Sequence, residues 1–460
     1  TGALNVAGGT FAMGAYNDTV AAVNITGGQV TGTGTLGGAS YDFANASGTV
    51  NISAVISGSA GVTKTGAGTL VLSGANTYTG ETVISAGKII VRHNTALGST
   101  SGGTSVAAGA TLDLYNVDVG AEQVTLSGGT LTDVTSSLAG NIVLTADSNI
   151  GATNADDVLT LSGVISGSYG ITKVGAGTVV LGGNNTYTGT TTVSSGTLSV
   201  TGSLADVTSV TVASGATYSL GASDTITALL GAGNVVLNGN TLTVDGSVDT
   251  TYSGVMSGAG ALIKNGAANF TMSGANTYTG GTTINAGTLS LGAHNVLSNT
   301  GAVNVSGGTL DIRSFNDTVG TVTLSSGVIT GSTGQLTSAN YNVTNTSGTT
   351  IISAILAGNG QLTKTGAGTL TLSGANTYTG DTTINAGTLK LTGSLATATD
   401  VVMTGSAVWD LQVAQTIASL TMASGNSITN TAGTSSLVVS GTSTLANSIT
   451  TTGTQTYTGA

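Results

Sequence analysis

The stretch GVTKTGAGTLVLSGANTYTGETVISAGKIIV, residues 61–91, decides how this chain is read. It holds short β-rich runs separated by Gly, Asn and Ser, the residues that turns require. Within the runs, Thr69-Leu70-Val71-Leu72 carries an alternation that puts one face inward and the other outward. The stretch then returns three times. Residues 170–200 read GITKVGAGTVVLGGNNTYTGTTTVSSGTLSV, residues 260–291 read GALIKNGAANFTMSGANTYTGGTTINAGTLSL, and residues 360–391 read GQLTKTGAGTLTLSGANTYTGDTTINAGTLKL. The block's tyrosine falls at 78, 187, 278 and 378, so the period is 109, then 91, then 100. A fragment, QTYTG, comes back at Tyr457.

Between the blocks the pattern is looser but persists. Short apolar runs recur as GGTFAM around Phe11, GATLDL around Leu112, GATYSL around Tyr218, GGTLDI around Leu310 and SAVWDL around Val408. Residues 1–97 resemble 300–397 throughout, with YNDTV at 16–20 against FNDTV at 315–319. The expected organisation is one continuous solenoid over 1–460. Its module blocks are approximately 1–97, 98–206, 207–297, 298–397 and an incomplete 398–460. No stretch sustains helical periodicity. A sandwich would not repeat at this interval through the whole chain, and a propeller blade repeats at about 40–50 residues.

Composition narrows the choice. Of 460 residues, 6% are charged and 4% aromatic, while 39% are hydrophobic, which is too apolar for disorder. The chain has no Pro, as expected where nearly every strand is hydrogen-bonded on both sides. It has no Cys, so disulfides and thiolate metal sites are excluded. The net charge of −11, with only eight scattered Lys and Arg, excludes nucleic acid as a partner. No run is long and apolar enough to span a membrane as a helix, and the first residues lack the basic start and apolar stretch of a signal peptide. The predicted fold is therefore all-β, a rod-like, right-handed parallel β-helix. Coils of about 20–25 residues would stack at about 4.8 Å, giving a rod of about 100 Å. Its open strand edges would favour self-association, end to end or side by side.

The segment GAGTLxLSGANTYTGxTxIxAGTLxL resembles the passenger-associated transport repeat, also called the autotransporter-associated β-strand repeat. The match is close in all four copies. It implies a Gram-negative autotransporter passenger, exported across the outer membrane with a translocator barrel as its partner and displayed outside the cell. The function so implied is structural or adhesive, either the shaft of a passenger or a subunit of an extracellular fibre. Alternatives are an adhesin module that binds a surface glycan or host receptor, a polysaccharide-acting enzyme, and an ice-binding protein.

Individual residues bear on these roles. Lys64, Lys173, Lys264 and Lys364 occupy equivalent places and read as solvated charges at a turn. Tyr78, Tyr187, Tyr278 and Tyr378 read as structural, each packing over a corner, with sugar stacking as the alternative. Asp156 and Asp157, with Asp147 nearby, form the densest acidic group, expected to be an exposed loop tip; calcium or sugar cleavage would need more than this pair. His93 and His294 lie at similar offsets after their blocks, without the partners of a triad or a zinc site. No cofactor or metal is expected. The T-x-T runs suggest ice binding, but the threonines drift between modules when judged from spacing alone.

Overall fold

The computed structural model describes residues 2–459, and every regular element in them is a β-strand. They form a parallel β-solenoid of about 23 turns, divided into two compact units. The first runs to Ile226 and takes in Gly233–Val235; the second comprises Thr227–Ala232 and the residues from Val236 onward.

In the first unit one column of strands runs Leu4–Val6, Val23–Ile25, Tyr41–Phe43, Val62–Lys64, Thr82–Ile84, Thr104–Ala107, Val124–Ser127, Ile142–Ala146 and Ile165–Gly167. Each pairs in parallel with the next. The coils are unequal: the shortest step in this column runs from Val23 to Tyr41, and the longest from Ile142 to Ile165. Parallel pairing on both sides leaves no strand position free for a residue without an N–H, which accounts for the missing Pro.

The alternation in the repeated block becomes burial. On the second face Leu70 pairs with Ile89, and Leu112 and Leu131 follow in successive coils, all fully buried, while Thr69 and Val71 remain partly exposed. Like residues stack on like, and each such side chain contributes about 2 kcal/mol of burial. The glycine of the closing A-G-[KT]-[IL] or S-G-T-L turn, at 87, 196, 287 and 387, is fixed twice over. Its φ is positive (71°, 63°, 63° and 68°), and a Cβ on Gly87 would stand 2.4 Å from the Gly68 carbonyl oxygen of the coil before.

Two results depart from the spacing alone. The first block's Val62–Lys64 lies on the first face, but the second block's Ile171–Val174 stacks on Ser148–Gly151, which pairs with Thr130–Val134 of the second face. Five coils carry Val62 to Ile165. The interval between the first two blocks overshoots those five coils by one side, so the second block is turned by one face. In the second unit the interval between the last two blocks is five whole coils, and Ala261–Lys264 and Gln361–Lys364 share a column.

The second departure concerns threonine. In the second unit a single outward column reads Thr243, Ile263, Thr283, Asn304, Thr323, Asn342, Thr363, Thr383, Val402, Thr421 and Thr444. The drift inferred from sequence is thus corrected there. Coils of unequal length absorb their extra residues at the corners and keep the strands in register.

Candidate functional site

Each block closes two successive coils with three buried polar devices, and the first is the lysine. Lys64, Lys173, Lys264 and Lys364 are at most 1% exposed, which overturns the expectation of solvated charges. The side chain points inward because it lies two residues past another buried position of its own strand. Its ammonium then reaches the backbone carbonyls of the turn that follows. Lys173 Nζ donates to the carbonyls of Val174 at 2.9 Å, Gly175 at 2.8 Å and, one coil on, Ser195 at 3.0 Å. Lys64 donates to the Gly66 carbonyl, and Lys264 and Lys364 donate to those of Gly266 and Gly366. The last two also reach Ala286 and Ala386 on the next coil, each at 3.4 Å. No carboxylate forms an ion pair with any of the four among the described residues. Burial disfavours the charged form, lowering the ammonium pKa in all four, to about 8 in Lys173 and Lys364. Near Lys264, Asp245 and Asp249 oppose that fall.

The second device is the asparagine two residues before the block's tyrosine. Asn76, Asn185, Asn276 and Asn376 are buried, and each bridges neighbouring coils. Asn276 accepts the Met256 amide at 2.7 Å and donates to the carbonyls of Gly274 at 2.9 Å and Val296 at 2.7 Å. Asn185 and Asn376 repeat all three bonds, to Ile165, Gly183 and Ser203 and to Leu356, Gly374 and Ser394. Asn76 takes the Ile56 amide and gives to the Ala96 carbonyl. Here the chain is not a strand, so the side-chain amide meets backbone groups that a ladder would otherwise satisfy. Sequence reasoning missed these asparagines. Their signal was the N of NTYTG, present in every copy.

The third is the tyrosine. Tyr78, Tyr187, Tyr278 and Tyr378 are fully buried rather than laid over a corner. Each hydroxyl meets that of the threonine four residues on, Thr82, Thr191, Thr282 or Thr382, at 2.5–2.7 Å. Burial raises the phenol pKa well above its ordinary value in all four. Rings placed so cannot stack on an external sugar.

The other candidates are scattered. Asp156 is exposed, but Asp157 is buried, against expectation. It caps its own turn by accepting the Asn154 backbone amide at 2.7 Å and the Asn154 side-chain amide at 2.9 Å. Asp147 accepts the Gly170 amide at 2.8 Å. His93 Nδ1 lies 3.2 Å from the Thr95 amide, and His294 Nδ1 accepts the Asn316 amide at 2.9 Å. Among the described residues no three His, Cys, Asp or Glu come together in a way that could hold a metal ion. Outside the block, burial pushes up the carboxyls of Glu122, to about 7, and of Asp133 and Asp317, to about 6.

The repeated geometry has known counterparts. The passenger-associated-transport-repeat family matches at residues 62–91, 171–200, 262–291 and 362–391. An autotransporter adhesin, BmaC of Brucella suis, is 37% identical over 341 residues, which is 72% of this chain and 10% of that protein. An extracellular serine protease of Serratia marcescens is 58% identical over 41 residues, 9% of this chain and 4% of the protease. The chain thus spans a tenth or less of either relative. No solved structure matches it. With the family's repeat at four places, each closed by the same buried lysine, asparagine and tyrosine, the chain belongs to the autotransporter passengers that carry passenger-associated transport repeats.

Proposed function

We propose that this chain is a surface-displayed, structural and adhesive shaft of an autotransporter passenger, without enzymatic activity. The observation that carries the reading is the similarity to an autotransporter adhesin across 72% of the chain, on a solenoid whose repeated side chains are spent on internal closure. The lysines, asparagines and tyrosines that the sequence repeats face inward and stabilise coils. Export across the outer membrane with a translocator barrel as partner follows from the same reading. The test is display of residues 1–460 on a Gram-negative cell through a translocator barrel, scored for adherence to mammalian epithelial cells and extracellular matrix. Adherence above that of cells bearing the barrel alone is expected. Efficient display without any gain in adherence would remove the adhesive part of the reading.

A further inference from the structure

The second unit carries a cleft of about 340 Å³ lined by Asn276, Thr277, Asn295, Ser298, Asn299 and Thr300, together with the methyl of Ala275. Every polar side chain in it is an uncharged amide or hydroxyl. Its floor is held from both sides. Asn276 binds the Val296 carbonyl at 2.7 Å, and the buried Asp317 accepts the amides of Val296 at 3.0 Å and Leu297 at 2.9 Å. The loop is therefore fixed before anything binds, which lowers the ordering cost of binding. Within it Ser298 is 5% exposed, yet its hydroxyl has no hydrogen-bond partner among the described residues. A buried hydroxyl without a partner is costly, and this one lines the cleft.

Elsewhere on the same unit outward polar side chains engage one another. Asn265 donates to Asp245, Asn285 to Asn265, and Ser306 to Asn285, at 3.1, 3.4 and 2.6 Å. In the cleft the side chains of Thr277, Asn295, Asn299 and Thr300 make no such bonds among the described residues, leaving donors and acceptors of both kinds unspent around Ser298. Paired donors and acceptors without charge match the vicinal hydroxyls of a pyranose, and the volume lies at the small end of ligand sites. A carboxylated or phosphorylated ligand would find no cation there.

We propose that this cleft binds one neutral saccharide unit; the inference rests on the adhesive reading and names its ligand class. The test is saturation-transfer NMR on the whole chain with galactose, N-acetylglucosamine, maltose and glucuronic acid. Transfer to at least one neutral sugar and none to glucuronic acid is expected. Asn299→Ala, at an exposed position that leaves the fold intact, should weaken binding about fivefold, and Ser298→Leu should abolish it. Thr323→Ala, on the outward threonine column, should change nothing. Absence of transfer from every neutral sugar, or transfer undiminished in both cleft variants, overturns the assignment, as does a preference for glucuronic acid. Beads coated with the wild-type chain separate the two ideas. Adherent beads without sugar binding overturn the cleft alone, whereas sugar binding without adherence overturns the adhesive reading and leaves the cleft standing.

Discussion

The ammonium of Lys173 lies 3.0 Å from the carbonyl oxygen of Ser195, a residue of the following coil, and 2.8 Å from that of Gly175 on its own. A charge is thus taken out of water and held by backbone alone. Hydrogen bonds from a charged donor contribute about 1.5–3 kcal/mol each, which offsets a desolvation cost of several kcal/mol. The arrangement ties together two coils that strand pairing already stacks.

Removing that ammonium leaves the carbonyls of Val174, Gly175 and Ser195 without their donor. Lys173→Met keeps most of the volume and should cost about 2–3 kcal/mol, read as a lower urea midpoint. Hydrogen exchange should quicken at Ser194 and Thr197, whose amides bind Lys173 and Gly177 carbonyls across the same two coils.

At Asn276 the expected loss is larger. Asn276→Leu strands the Met256 amide and the Gly274 and Val296 carbonyls at once, a penalty of about 3–4 kcal/mol. Asn276→Asp keeps the acceptor for Met256 but removes both donors and buries a carboxylate. Its destabilisation, measured by urea titration, should therefore lessen as the pH falls and the acid becomes neutral.

The tyrosine pair lends itself to a double-mutant cycle. Tyr278→Phe and Thr282→Val each delete one partner of the 2.5 Å contact. Each should cost about 1 kcal/mol, with the double variant costing clearly less than the two together. Tyr278→Ala empties a fully buried site and should cost about 3–5 kcal/mol.

The internal ionisable groups set an unusual pH dependence. Carboxyls raised to about 7 in Glu122 and about 6 in Asp133 and Asp317 bind protons more tightly folded than unfolded. Their contribution is full below the ordinary carboxylate range and is lost as pH rises through 6 to 7. Lys173 and Lys364, lowered to about 8, bind protons less tightly when folded, so stability returns as pH climbs from 8 toward the ordinary lysine value. Urea midpoints should pass through a minimum between pH 7 and 8. Acidification from pH 7.5 to 5 should gain about 1–2 kcal/mol per raised carboxyl, and Asp317→Asn should remove its own share of that gain.

Much of this was legible in the residues, for identifiable reasons. Runs such as Thr69–Leu72 alternate because one side meets the core, and the absence of Pro follows from pairing on both edges of each strand. The lysines were misread because a lone cation with no acid nearby defaults to solvent. The group that cages Lys173 includes the Ser195 carbonyl of the next coil, and backbone atoms leave no mark in a sequence. Asn276 was passed over because an asparagine near a glycine usually signals a turn, whereas this one replaces missing ladder bonds. The turning of the second block by one face was hidden because coils differ in length, as the short step from Val23 to Tyr41 and the long one from Ile142 to Ile165 show. The interval from Tyr78 to Tyr187 could not be divided into coils beforehand.

The burial of the four repeat lysines is checked most directly by acetylating the native protein with an amine-reactive ester and reading each site by mass spectrometry over time. Lys88 and Lys390, both partly exposed, should react within minutes, while Lys64, Lys173, Lys264 and Lys364 stay unmodified until denaturant opens the coils. Comparable rates at all six lysines in the native protein would contradict the account.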